Sequence, residues 1–261
     1  MDTEAVRALF DIQMRRDAAP EPGARVERFA GVVRQTGAAV HDWTGVLWSD
    51  LDEETADAAI AEQTRWLAGP EGAGREFEWK LYAHDRPADL GDRLLAAGFT
   101  PGPAETLMVA EVAELPLDGQ PPRGVRVETV TDAPGVFLMA KAHAKAFGAP
   151  AEALHARLLD QLTRSPGSLV AVVAMAGGEA VCSARMEFHP GTDFASLWGG
   201  GTVPEWRGRG IYRALVAHRA RIAAARNIRY LQVDASDDSR PILRRLGFTP
   251  LGVTTPYLRQ G

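Results

Sequence analysis

The chain has 261 residues, of which 46% are apolar and 24% charged, with a net charge of −5. These are the proportions of a soluble globular protein of one or two domains, and the acidic balance excludes nucleic acid and anionic membranes as expected partners. A single cysteine, Cys182, excludes an internal disulfide and a cysteine-based zinc site, so no metal is expected.

The N-terminal stretch MDTEAVRALFDIQMRRD is acidic and amphipathic and has no basic-then-apolar leader. No apolar run is long enough to span a bilayer, and a cytoplasmic location is expected. FEWKLYAHD (77–85) reads as a strand, and RLLAAGFTP (93–101) as a short helix ended by glycine and followed by another strand. Residues 115–124, LPLDGQPPRG, hold three prolines and two glycines without apolar periodicity and read as a linker between domains at 1–114 and 125–261.

Beyond the linker, 133–147 and 151–163 have helical spacing, the second through Leu154, Leu158 and Leu162. SLVAVVAMAGGEAVCSARMEFH is two strand-like runs around Gly177-Gly178, a hairpin signal. In its second run Cys182, Ala184, Met186 and Phe188 alternate with Ser183, Arg185 and Glu187, which predicts one core face and one polar face. FASLWGGGTV is a strand interrupted by Gly199, Gly200 and Gly201. A helix is expected from about Gly210 to Arg226, with Ile211, Leu215, His218 and Ile222 on one stripe. A strand at 228–234, a helix at 238–246 and the extended run FTPLGVTTPYLR complete an α/β layer fold. The two halves also echo each other. Gly-Phe-Thr-Pro occurs at Gly98 and again at Gly247, and the preceding strands end at Asp85 and Asp234; both pairs lie 149 residues apart. Equal offsets at two landmarks point to an internal duplication.

The stretch VPEWRGRGIYRALVAHRA (203–220) sets Gly208 and Gly210 among Arg207, Arg209 and Arg213 at the start of a helix. A helix start leaves N–H groups without internal partners and carries the positive end of the macrodipole, so anions bind there. Glycine removes the Cβ atoms that would hold a phosphate away, and arginine offers forked donors that suit phosphate oxygens. The pattern fits a pyrophosphate. No Gly-Lys-Ser/Thr run supports a P-loop, and Arg213 stands where a dinucleotide fingerprint needs a third glycine. At the corresponding helix start of the first half, Asp50, Asp52, Glu53, Glu54 and Asp57 crowd a glycine-free segment, which disfavours an anion there.

The run Arg207-Gly208-Arg209-Gly210-Ile211 resembles the R/Q-x-x-G-x-G/A pattern of the GNAT N-acetyltransferase superfamily, with Tyr212 in place of the last Gly/Ala. The strand, turn, motif, helix, strand, short helix and Leu-Gly-Phe of 125–261 follow the same order, and 1–114 is a looser, motif-free echo. The resemblance therefore implies two GNAT-like domains in tandem, each a mixed, mostly antiparallel sheet flanked by helices, with a degenerate first copy. It implies acetyl-CoA as cosubstrate, with the pyrophosphate held by Arg207, Gly208, Arg209, Gly210, Ile211, Tyr212 and Arg213. The pantetheine arm would follow the backbone from Gly200 through Thr202 and Val203, where the triple glycine permits a bulge and close approach. Tyr212 must then point its ring away from the cofactor.

The family's usual acid and base are absent. Its Tyr of Y-x-x-L-G-F falls on Leu243, its Asn seven residues upstream on Ser236, kept as a cofactor contact, and its strand glutamate on Ser196. Glu187, Asp234 and Tyr257 are the surrogate candidates, against plain alternatives of a solvated carboxylate, a helix cap and a packing residue. Trp198 and His218 are expected in the core. Arg219, Arg221, Arg226 and Arg229 are expected on a solvated face, where one could reach the 3′-phosphate of CoA. The resulting expectation is acetyl transfer to the primary amine of a small molecule by direct attack on the thioester. The alternative is a non-catalytic acyl-CoA-binding or regulatory protein. Oligomeric state is open, a homodimer included.

Overall fold

The computed structural model describes every residue except Ala149. In chain order the elements are α1 (Thr3–Phe10), a π-helical turn at Asp11–Arg16, β1 (Arg25–Phe29), β2 (Val32–Thr36), β3 (Gly45–Ser49), α2 (Ala56–Leu67), β4 (Glu76–Tyr82), α3 (Leu90–Ala96), β5 (Thr100–Pro101) and β6 (Glu105–Glu111). They continue with β7 (Val125–Val130), α4 (Ala133–Phe147), α5 (Glu152–Arg164), β8 (Leu169–Ala176), β9 (Glu179–Phe188), β10 (Phe194–Thr202), α6 (Ile211–Ala225), β11 (Tyr230–Ala235), α7 (Arg240–Arg245) and β12 (Thr249–Gln260). The mixed, mostly antiparallel layer fold expected from the sequence is the one observed.

Two compact units emerge, and they do not follow chain order. The first comprises 1–107, 234–237 and 250–261; the second comprises 108–233 and 238–249. In the first, the strands run β1-β2-β3-β4-β12, with β5 also on β12. The last strand belongs there because it pairs antiparallel with β4 residue by residue, from Thr254 opposite Tyr82 to Gln260 opposite Glu76. The units thus depart from the expected 1–114 and 125–261 at this strand, which neither composition nor periodicity could place. Val46, Ile60, Phe77, Trp79, Leu94 and Phe99 form this unit's core.

In the second unit the order is β11-β10-β9-β8-β7. β8 and β9 form the expected hairpin, with Gly177 and Gly178 at φ 56° and 89°, the left-handed pair that a two-residue turn requires. Asp132 caps α4 by accepting a hydrogen bond from the Gly135 N–H at 2.8 Å, and Gly148 ends the helix at φ 69°. Leu158 of α5 is fully buried against Val136, Met139 and Leu169; burial of one such side chain contributes roughly 1.5–3 kcal/mol. The polar face expected on β9 is instead covered. Ser183 and Arg185 are buried together with Cys182 and Ala184, because helices pack on both faces of the strand. The 115–124 segment lies along α6, with Arg221 Nη1 donating to the Leu117 carbonyl.

The echo between the halves has a structural counterpart in how the two short helices end. After α3 the Phe99 N–H donates to the Leu94 carbonyl at 3.0 Å, and after α7 the Phe248 N–H donates to the Leu243 carbonyl at 3.0 Å. The intervening Gly98 and Gly247 have φ 85° and 102°. The same αL closure therefore recurs at both copies of Gly-Phe-Thr-Pro.

Candidate functional site

From the end of β10 the chain passes through a 3₁₀ turn at Pro204–Trp206, then Arg207 to Gly210, into α6. Gly208 and Gly210 have φ 74° and 81°, a region that other residues enter only with strain. The first backbone bond of α6 runs from the Ala214 N–H to the Gly210 carbonyl at 3.1 Å, and no side chain caps the helix start. The N–H groups of Ile211, Tyr212 and Arg213 precede that bond and so have no partner one turn back. Nothing lies within 4 Å of where a Cβ on Gly208 would stand. An anion can approach these donors closely.

Two arginines of the motif build the loop. Arg207 donates from Nε to the Thr202 carbonyl at 3.1 Å and from Nη2 to the Ala146 carbonyl at 3.0 Å, so it fastens the end of β10 to the end of α4. Arg209 lies 4.5 Å over the Trp206 ring and donates to the Glu205 carbonyl. Both remain exposed, so their charge stays at the loop. Arg213 turns its guanidinium toward Gly210, where an added Cβ would sit 3.2 Å from Nη2.

β10 reaches this loop along a strand that parts from its neighbour. Its parallel pairing with β11 spans Phe194–Ser196 opposite Tyr230–Gln232. Its antiparallel pairing with β9 continues to Thr202 opposite Cys182, with a register shift between Trp198 and Gly201. Gly199, at φ 57°, lies within the shift. The three glycines now have a reason. A Cβ on Gly200 would stand 2.7 Å from the Tyr212 ring, and one on Gly201 would stand 2.5 Å from the Phe147 ring. Successive Cβ atoms of a strand point to opposite faces, so α6 packs on one side of β10 and α4 on the other. Tyr212 accordingly places its ring against the strand, away from the Gly208–Gly210 loop.

At the bulge stands a residue that the sequence analysis did not single out. His143 of α4 lies against Phe147 with ring centroids 4.4 Å apart and ring planes tilted by 38°. Its Cε1–Nδ1 edge lies 3.5 Å from where a Cβ on Gly199 would be. Burial first, then the Arg185 charge, hold its imidazole below the ordinary histidine value, with the Gly199 backbone acting the other way. In the sequence it is one helical residue among alanines and lysines. Its spacing of four from Phe147 signals only a shared helix face.

Thr202, Val203 and Arg207 to Arg213 form one continuous stretch within the second unit. Thr202 Oγ1 donates to Cys182 Sγ at 3.2 Å, and burial pushes that thiol up to about 11, so it is not a ready nucleophile. Glu187 is also in this unit, but its carboxylate accepts from Arg185 Nε at 3.0 Å. Ser196, buried at the family's glutamate position, is within hydrogen-bond distance of His189 Nε2 at 2.7 Å and accepts from Gln232 Nε2 at 2.6 Å.

Asp234, Ser236 and Tyr257 belong to the first unit. Asp234 is ion-paired with Lys80 at 2.7 Å, its side chain 2% exposed. Burial works against the Lys80 ammonium, and the Asp234 carboxylate overcomes it, raising the lysine well above its usual value. Tyr257 lies opposite Trp79 and Pro101 and packs against the first unit's core. Ser236 is exposed. His218 is half-buried, with Nε2 lacking a hydrogen-bond partner among the described residues. Arg219 corrects the expected solvated face. It is 1% exposed, donates to the Leu215 and Arg185 carbonyls, and is brought down to about 10 by burial. Two carbonyls satisfy donors that would otherwise need water. No group of three metal-ligating side chains occurs among the described residues, and none of their helices is long and apolar enough to cross a membrane.

Residues 138–248 match the model of the GNAT acetyltransferase family. This stretch is similar to a GNAT acetyltransferase domain. No curated protein matches the chain. Among solved structures it resembles a GCN5-related N-acetyltransferase from Kribbella flavida, with a TM-score of 0.69 and 18% identity, covering 92% of this chain and 91% of that one. A functionally unknown conserved protein from Staphylococcus epidermidis ATCC 12228 gives 0.69 and 14% over 94% and 97%. A tandem GNAT protein from the clavulanic acid biosynthesis pathway gives 0.60 and 15% over 93% and 85%. At such identities the likeness concerns the fold alone, and it covers nearly the whole chain.

Proposed function

We propose that the protein is an acetyl-CoA-dependent N-acetyltransferase whose acceptor is the primary amine of a small molecule. One observation carries this: an uncapped, glycine-opened helix start follows directly on a strand that leaves its parallel neighbour after Ser196. The N–H groups of Ile211 to Arg213 and the charge of Arg207, Arg209 and Arg213 would hold the diphosphate. The free backbone edge from Gly200 to Val203 would pair with the amide groups of the pantetheine arm. When bound, the thioester supplies an activated acyl group that a neutral amine can attack directly. The protein's task is then to orient it, exclude water and receive one proton.

Calorimetric titration with CoA tests the binding half, and release of free thiol from acetyl-CoA across a panel of amines tests the transfer. Absence of heat at millimolar CoA would sink the assignment. A second possibility rests on the engagement of two candidate acid-base groups in ion pairs, Glu187 with Arg185 and Asp234 with Lys80. A non-catalytic acyl-CoA-binding protein would show tight binding without thiol release across the whole panel.

A further inference from the structure

Resting on the acetyltransferase proposal, we infer that His143 is the proton acceptor of the transfer, its imidazole held against the bulge of β10 at Gly199. Three features of the second unit converge on this. First, α4 brings His143 and Phe147 to one face, and their contacting rings lie over the glycines of β10: Phe147 against Gly201, His143 against Gly199. An arm that follows Gly200 to Val203 outward from the phosphate loop ends its reactive group at this same bulge. Second, the ring is oriented. Nδ1 is buried and turned to the strand, where the Gly199 backbone faces it, which leaves Nε2 for the reacting groups. Third, the charged groups facing the ring are Arg185 from β9 and Arg157 from α5, and Glu187 is salt-bridged to Arg185. This cationic surrounding and the ring's burial favour the neutral imidazole, the form that can take a proton.

The step balances without a further reactant. The amine nitrogen attacks the carbonyl carbon, an N–C bond forms, and the C–S bond breaks with its electron pair leaving on sulfur. The proton lost from nitrogen passes to His143 Nε2. From the imidazolium it goes to the thiolate, directly or through water, which restores the base and releases free thiol.

The test compares the full-length wild type with His143→Gln and His143→Ala, using whichever panel amine supports turnover. General-base removal typically costs 10²- to 10⁴-fold, so kcat should fall by about a hundredfold or more. The KM for acetyl-CoA and the calorimetric CoA affinity should stay within about twofold, which also shows that the variants are folded. With acceptor saturating, wild-type kcat should fall on acidification through the imidazole's titration, below the ordinary histidine value of 6.5; the variants should lose that limb. Added imidazole should restore part of the activity of His143→Ala. Unchanged kcat, or an acid limb that persists in His143→Gln, would overturn the inference and leave the acetyltransferase proposal standing. Wild-type protein that binds CoA but releases no thiol with any amine would overturn both.

Discussion

At the start of α2, Asp52 Oδ1 accepts hydrogen bonds from the Glu54 and Thr55 N–H groups and from the Thr55 hydroxyl, and these bonds hold its carboxyl below the usual range. At the start of α6 no side chain caps, two glycines adopt positive φ, and three arginines stand nearby. Both helix starts present the same unpaired donors and the same dipole end. Neither has a side-chain cap on its first residue, but the turn before α2 is closed by the chain's own carboxylate, whereas the turn before α6 is opened by glycines and lined by arginines. Two helices of similar placement can therefore differ in what precedes them, and the proposed diphosphate site calls for the second kind of start. The difference lies in a handful of loop residues, with the hydrophobic framework left intact.

The strongest way to break this contrast is to give α6 an anion of its own. Gly210→Glu should weaken CoA binding by about a hundredfold or more, because like-charge juxtaposition with the diphosphate costs several kcal/mol. Far-UV circular dichroism should be unchanged, and an unaltered calorimetric dissociation constant would refute the proposed anion site. Gly200→Ala should be next in size. Its methyl group meets the Tyr212 ring at 2.7 Å, and such overpacking costs about 1–3 kcal/mol. Thermal melting should show the loss; an unchanged midpoint would mean that α6 is not pressed on β10 as described.

A pH experiment sharpens the contrast between the units. His143, His189 and His218, all in the second unit, are each held below the ordinary 6.5, burial being the largest cause. Below that value the unfolded chain binds protons that the folded one does not, so stability should be level above about pH 7 and decline as the pH drops through 6. Asp11 and Asp52 of the first unit, whose folded values are lowered from 3.8, give up their contribution only in more acidic solution. Hydrogen exchange at pH 7.5 and 5.5 should thus show protection lost first in the second unit, and uniform loss would contradict this order. The smallest effect belongs to Asp52→Ala. Loss of these turn bonds should lower the melting midpoint by about 2–4 °C without conferring CoA affinity, since no glycine there opens the loop. Measurable CoA binding by the first unit of this variant would undo the distinction.

The glycine-arginine loop and the helix it opens were legible in the sequence because their signal is local: glycines, arginines and a helix start within a few residues. The hairpin at Gly177-Gly178 and the repeated Gly-Phe-Thr-Pro closure were legible for the same reason. His143 was not, because its closeness to Gly199 comes from α4 packing on β10, and no periodicity records which helix face meets which strand. Arg219 was misread because its charge suggested solvent, whereas backbone carbonyls can satisfy a buried guanidinium. Asp234 and Tyr257 were named as surrogate acid-base candidates; that Asp234 would pair with Lys80 and that Tyr257 would lie opposite Trp79, both in the first unit, could not be read from the sequence. In each case the missing information was long-range.

The pairing of β12 with β4 has a consequence for synthesis. The ribosome produces residues 76–82 early and their partners at 254–260 only after the whole of 108–233 has been made. The usual order, in which an amino-terminal body completes itself first during translation, cannot hold here. The first unit must wait with one backbone edge bare, available to any passing strand, until its sibling has emerged from the exit tunnel.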